Sequence, residues 1–393
     1  MVRRRSGILN KFSVSEACID LPDITLFNHD KIKTFDLVIT TVGFEDRSLA
    51  FVQESCSEFQ CEYALVGKYK TNKVENEINE ASITNFFMSH SIHTSEVCAD
   101  SPLAISKKIN EILDNISQEK KIIRCFFDIS SASNRFILSV LQTLTSSNLE
   151  LGLSIFYAEP TDYFPQSSEY HSNPEACISE ALASSSKEPL IETGVSAVNE
   201  NELYPGHFPE VGKPFLISIP SYRMTRMGRC IQQIDEQLLS SSNKDSCFWI
   251  FGEPKKEILK WRTMYQKSIV ENYLKKFTTE DSDSYQPPLT EENSKRCCTL
   301  NYKEILAALI ELADSNLGKR ITIVPMGSKL QAVGVALALY ARSECSVLHA
   351  SPGAFNPNRY SNGIGDKWLL EFESISNVKR IVSKIGELEL TPI

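Results

Sequence analysis

Two short turns hold most of the residues equipped for ligand chemistry. One is Asp128-Ile129-Ser130-Ser131-Ala132-Ser133-Asn134-Arg135, and the other is Pro325-Met326-Gly327-Ser328-Lys329-Leu330-Gln331. Each lies between an apolar strand pattern and an apolar helix pattern. A helix N-terminus presents unpaired N–H groups and a partial positive charge. Small residues let the backbone come close to a ligand, and Arg135 or Lys329 supplies a cation that can pair with an anion. Two further turns carry the same equipment: residues 43–47 with Arg47, and residues 221–226 with Arg226. The candidate set for a phosphate-bearing ligand is therefore Arg47, Asp128, Ser130, Ser131, Arg135, Arg226, Gly327, Ser328 and Lys329. Arg223, Arg226 and Arg229 recur at three-residue spacing, which fits an anion cradle or a solvated basic face equally well.

Other chemistries find less to work with. The chain has no G-x-x-x-x-G-K-[ST], no G-x-G-x-x-G and no G-x-S-x-G, so P-loop, dinucleotide and nucleophile-elbow sites have no motif. His90 and His93 are close together, but no Cys or carboxylate stands at the spacing of a closed metal site. No catalytic residue, metal ligand or cofactor is assigned. If the site turns a ligand over, Asp128, Glu159 and His349 are the acid–base candidates.

These turns need a framework that points them one way. Residues 121–160 and 320–352 read alike: apolar strand, Ser/Gly turn, apolar helix, second apolar strand. Asp128 falls opposite Pro325, and Ser130-Ser131 opposite Gly327-Ser328. Upstream of each unit the order also repeats, as strand, Arg-containing turn, helix, strand, helix, strand, helix. That alternation predicts two tandem Rossmann-like α/β domains with mostly parallel sheets, related by a pseudo-twofold. The expected boundaries are an N-terminal arm (1–34), a first domain (35–160), an irregular connector (161–213) and a second domain (214–393). Residues 368–372 are expected to form an edge or hairpin strand. In such sheets ligands bind beyond the carboxyl ends of the strands, so the four turns are expected to converge on a cleft between the halves.

The bulk numbers narrow the setting. A net charge of −9 over 393 residues argues against general nucleic-acid or anionic-membrane binding. The 11 Cys have no C-x-x-C pair, which fits free thiols in a reducing compartment. No apolar run approaches the length of a membrane span, and the start lacks a signal-peptide core. A cytoplasmic protein is expected.

The turn Gly327-Ser328-Lys329 resembles the Gly–Thr–Lys signature after the fourth strand of CARF domains, with Ser in place of Thr. The acidic residue that precedes the glycine in that pattern is replaced by Pro325. The first copy keeps the acid, as Asp128, but lacks Gly and Lys. Two such domains in one chain are similar to the SAVED sensors. The resemblance implies a binding, sensor or adaptor subunit of a prokaryotic antiviral defence system. It implies a nucleotide-type ligand and a protein effector partner. Two alternatives stay open: a nucleotide-cleaving enzyme of ring-nuclease or nucleosidase type, and a structural subunit without a ligand.

Overall fold

A computed structural model describes residues 14–28, 34–55, 59–183, 192–207, 212–239, 246–277 and 289–387. The first lobe runs β1 (Thr34–Val42), β2 (Gln60–Lys68), α1 (Lys73–Ser89), β3 (His93–Cys98), α2 (Pro102–Ser117), β4 (Ile122–Asp128), α3 (Asn134–Ser146) and β5 (Glu150–Ala158). After β6 (Glu192–Glu200), the second lobe runs β7 (Pro214–Ile219), α4 (Met224–Ile234), β8 (Cys247–Glu253), α5 (Trp261–Leu274), β9 (Ser294–Cys298), α6 (Tyr302–Ser315), β10 (Arg320–Pro325), α7 (Lys329–Ala341) and β11 (Ser346–Phe355). The chain then adds β12 (Lys367–Phe372) and α8 (Ile375–Gly386).

The first sheet is ordered β3-β2-β1-β4-β5 with parallel neighbours, and the second β9-β8-β7-β10-β11, also parallel. Numbered within each lobe, both orders are 3-2-1-4-5. The chain is an α/β protein of two tandem Rossmann-like lobes. β1 is buried at every position but its first, as expected of a central strand covered on both faces. The equivalent helices α3 and α7 pack against each other. That contact explains why α7 lacks a polar face: residues 330–339 are all buried, between α3, α6 and α8.

α7 comes very close to α6 at Gly334. A Cβ there would sit 2.3 Å from the Tyr302 carbonyl oxygen, which is backbone and cannot rotate away. Gly334→Ala is therefore expected to destabilise the chain by about 1–3 kcal/mol of overpacking, despite the better helix propensity of alanine. A lower denaturant midpoint checks this; an unchanged or higher one contradicts the close approach.

Two segments depart from the sequence reading, and they mirror each other. The connector 161–213, expected to be irregular apart from one or two helical turns, also holds a strand. It forms short helices Ser167–Ser172 and Pro174–Leu182 and then β6, which pairs antiparallel with β11 of the second sheet. β6 is polar on one face and places Val195 and Val198 against the second-lobe core, so it lacks the continuous apolar run of a central strand. β12, in turn, leaves the second lobe and pairs antiparallel with β5 of the first sheet, with Trp368 opposite Tyr157 and Leu370 opposite Ile155. It is not an edge strand, because Thr25–Leu26 pairs along its other side. Each lobe thus receives an antiparallel strand from the chain segment that follows the other lobe's last parallel strand. The arm, residues 1–34, is described from Val14 to residue 28; its Val14, Cys18 and Leu21 join the main core.

Candidate functional site

The four turns meet in the cleft between the lobes, where two cavities lie side by side. One, of about 180 Å³, is bounded by the carboxyl ends of the first-lobe strands and by the end of β11. The other, of about 200 Å³, is bounded by the carboxyl ends of the second-lobe strands and by the end of β5. Each lobe therefore closes its cavity with the other lobe's fifth strand: His349 on one side, Tyr157 and Glu159 on the other. Arg226, Met326, Gly327, Lys329 and Tyr360 line both cavities and form the wall between them.

The loop after β10 is built to hold Lys329. Ser328 caps α7: its hydroxyl accepts from Gln331 N at 3.2 Å, and Gln331 Oε1 accepts from Ser328 N at 2.9 Å. This is a capping box. The Ser328 hydroxyl also donates to the Thr299 carbonyl at 2.6 Å. Gly327 is required by space, because a Cβ would stand 2.6 Å from Ile219. Lys329 Nζ has no hydrogen-bond or ion-pair partner among the described residues. Burial, then the Arg47 and Arg226 charges, lower its pKa to about 8, with Glu45 working the other way.

Of the neighbouring arginines, Arg47 and Arg226 are tied to carboxylates, Arg223 to carbonyls only, and Arg47 and Arg223 are not saturated. Arg47 is 3% exposed and donates to Glu45 Oε1 from Nε at 3.0 Å and from Nη2 at 2.6 Å. Glu45 also accepts from the Ser361 hydroxyl. Burial opposes the Arg47 charge; Glu45, with Tyr163, Tyr157 and Tyr360, more than offsets it and keeps its pKa raised. Arg226 Nε lies 3.0 and 2.9 Å from the two oxygens of buried Glu192 on β6. Among the described residues the Arg223 guanidinium reaches the carbonyls of Glu192 and Ala183, at 3.4 and 3.5 Å. Arg47 Nη1, Arg223 Nε and Arg223 Nη1 are buried without a partner among the described residues.

Seven of the nine candidate residues line the cleft. Ser131, Arg135, Arg226, Gly327 and Lys329 face the first cavity, and Arg47, Arg226, Gly327, Ser328 and Lys329 the second. Arg47 thus serves the cavity of the opposite lobe. Asp128 and Ser130 line neither and are corrected to structural roles. Asp128 is 1% exposed and accepts from Ser130 N at 2.9 Å and Thr40 Oγ1 at 3.5 Å. Ser130 Oγ accepts from Ala158 N at 2.9 Å, tying the turn to β5. Both sit beneath the turn because polar groups buried there need partners, and the backbone supplies them.

Burial raises the Asp128 pKa to about 6, against the Ser130 and Thr40 hydrogen bonds. A carboxyl raised in the fold costs stability as pH climbs from 3.8 through about 6. Asp128→Asn removes that cost and keeps an acceptor for Ser130. It is expected to leave melting at neutral pH unchanged or higher, and to change ligand affinity less than about twofold, on the order of 0.4 kcal/mol. A large affinity loss in titration calorimetry would put Asp128 back in the site.

Long-range contacts add two site residues that the sequence did not mark, Glu192 and Arg262, and place the acid–base candidates His349 and Glu159 at the cleft. Glu192 comes from the exchanged strand β6. Arg262 on α5 is buried, donating to the carbonyls of Tyr163, Phe164 and Pro165. His349 is 8% exposed with Nε2 unpartnered; burial, then Arg135 and Arg226, lower its pKa to about 3, so the ring is neutral. Glu159 accepts from Trp368 Nε1 at 3.1 Å, and burial raises its pKa. Among the described residues no three His, Cys, Asp or Glu side chains gather as metal ligands, and no helix is long and apolar enough to cross a membrane.

No family model and no curated protein matches the chain. Among solved structures it is similar to the cytoplasmic domain of a prokaryotic cation chloride cotransporter, over 84% of this chain and 98% of that one, at 8% identity and a TM-score of 0.23, a likeness too distant to bear on function.

Proposed function

We propose that the protein is a two-lobed binding subunit for a phosphorylated, nucleotide-type ligand, held in the cleft and signalled to a protein partner as sensor or adaptor. The observation that carries this reading is the cation cluster on the dividing wall. Lys329 Nζ, on the wall of both cavities, has no hydrogen-bond or ion-pair partner among the described residues and feels the Arg47 and Arg226 charges, and Arg47 and Arg223 keep buried N–H groups without acceptors among those residues. Holding charged donors unpaired costs free energy in the empty protein. A phosphate brings several acceptor oxygens and negative charge to that spot. The resemblance of Gly327-Ser328-Lys329 to the CARF signature supports a role in antiviral defence.

The enzyme reading has less to draw on, since Asp128 lies under the turn and the His349 ring is neutral, which leaves it Glu159 alone of its three acid–base candidates, at the second cavity. Calorimetry and melting curves with pyrophosphate, mononucleotides, and linear and cyclic oligonucleotides test binding. Chromatography of the same mixtures tests turnover. Binding without new products is the expected result. Absence of binding to every phosphate compound overturns the proposal, and steady product formation replaces it with the enzyme.

A further inference from the structure

We infer that the two cavities take different halves of one asymmetric ligand: an amino-bearing heterocyclic base in the first cavity and the phosphates in the second. This rests on the binding function proposed above and adds the ligand's chemistry and orientation. Although the lobes share a topology, the unpaired atoms in their cavities differ in kind.

In the first cavity the buried, unpartnered atoms are Asn76 Oδ1, Asn134 Oδ1, Arg135 Nε and His349 Nε2. The amide orientations are fixed by their other ends. Asn76 Nδ2 donates to the Thr71 carbonyl at 3.1 Å, and Asn134 Nδ2 to those of Pro325 and Gly327 at 2.9 and 3.0 Å. That leaves two acceptors, one donor and one neutral imidazole nitrogen that can take either role. Arg135, Arg226 and Lys329 also line this cavity, but phosphate offers no donor, so an anion here would leave both Asn oxygens unpaired and would face Glu45 and Asp100 as well. A heterocycle with an exocyclic amine and ring nitrogens satisfies both kinds of atom.

Phe44, Phe355 and Tyr360 add an apolar wall, in mutual contact at centroid distances of 5.0–6.0 Å. In the second cavity the unpartnered buried side-chain atoms among the described residues are all guanidinium nitrogens: Arg47 Nη1, Arg223 Nε and Arg223 Nη1. Two of its rings are already engaged: the Arg262 guanidinium lies 4.5 Å from the Tyr222 centroid and 5.2 Å from that of Tyr163. The two cavities together reach the lower end of the volume small-molecule sites occupy, about 300–1,000 Å³, with Lys329 and Arg226 at the join.

The test compares adenosine 5′-monophosphate, purine riboside 5′-monophosphate (the same ring without the amine) and pyrophosphate by titration calorimetry. The amino nucleotide is expected to bind at least tenfold more tightly than its amine-free analogue, as on the order of 1.4 kcal/mol requires. Asn76→Ala and His349→Phe, made separately, are expected to shrink that ratio towards one while pyrophosphate still binds. Arg223→Met is expected to weaken pyrophosphate and both nucleotides alike. Equal affinity of the two nucleotides in the unaltered protein, with pyrophosphate bound, overturns the division of labour and leaves the binding function standing. If neither pyrophosphate nor nucleotide binds, both fall together.

Discussion

Lys329→Met is expected to weaken binding of pyrophosphate and nucleotides ten- to hundredfold, about 1.5–3 kcal/mol for one charged hydrogen bond in a buried site, and at the same time to raise the melting temperature of the unliganded protein. The two effects have one cause. Burial first, and then Arg47 and Arg226, lower the Lys329 pKa from 10.5 to about 8. An amine depressed in the fold is held less favourably than in the unfolded chain. Between about pH 8 and 10.5 the unfolded chain binds more protons, so stability rises with pH across that window, and below it the whole cost of the charge is present. Methionine fills similar space and removes the cost, so the gain is greatest at neutral pH and shrinks in alkali. Ligand binding runs the other way: an anion favours the protonated amine, so affinity in the unaltered protein falls as pH rises through about 8 and beyond. Melting curves and calorimetry over that pH range check both signs. A variant that melts lower at neutral pH, or still binds pyrophosphate at full strength, rules out Lys329 as the unpaired cation of the site.

Much of this site was legible because it is local. Gly327-Ser328-Lys329 can be read as a turn, a cap and a cation, and the fold realises all three, since each depends on residues within a few positions along the chain. The repeated alternation of strands and helices likewise predicts two mostly parallel α/β sheets, which the fold has, whereas their 3-2-1-4-5 order is not read from the sequence. What escaped depends on distant contacts. Arg262 sits in a segment, residues 255–277, that reads as a long helix; it is buried where the three carbonyls of residues 163–165 and the Tyr222 ring meet it. Glu192 lies in a polar stretch with no strand signal, and its value to Arg226 appears once β6 crosses to the second sheet. Asp128 and Ser130 show the converse error. Their types suit a ligand, but the same types also suit a turn whose backbone needs acceptors and donors, and strand β5 and Thr40 claim them first.

The exchanged strands also predict that neither lobe stands without the other. Leu370 on β12 is fully buried, lies opposite Ile155 of the first sheet, and belongs to a core that also holds Ile137 and Leu141 of α3 and Leu309, Leu330 and Val333 of the second lobe. Leu370→Asp places a carboxylate there with no cation designed to meet it. Its cost is several kcal/mol, a large share of the roughly 5–15 kcal/mol that keeps a domain folded. Leu317→Asp makes the same chemical change at a site that is 75% exposed and is expected to stay within about 0.5 kcal/mol of the unaltered chain. Hydrogen exchange followed by mass spectrometry separates the local from the global consequence. Because one core joins both lobes, Leu370→Asp is expected to speed exchange in β4 of the first sheet and also in β8 of the second, around fully buried Ile250, although β12 forms no strand pair in that second sheet. Acceleration confined to the first sheet would mean that the lobes fold as independent units and that the strand exchange ties them together without making them cooperative.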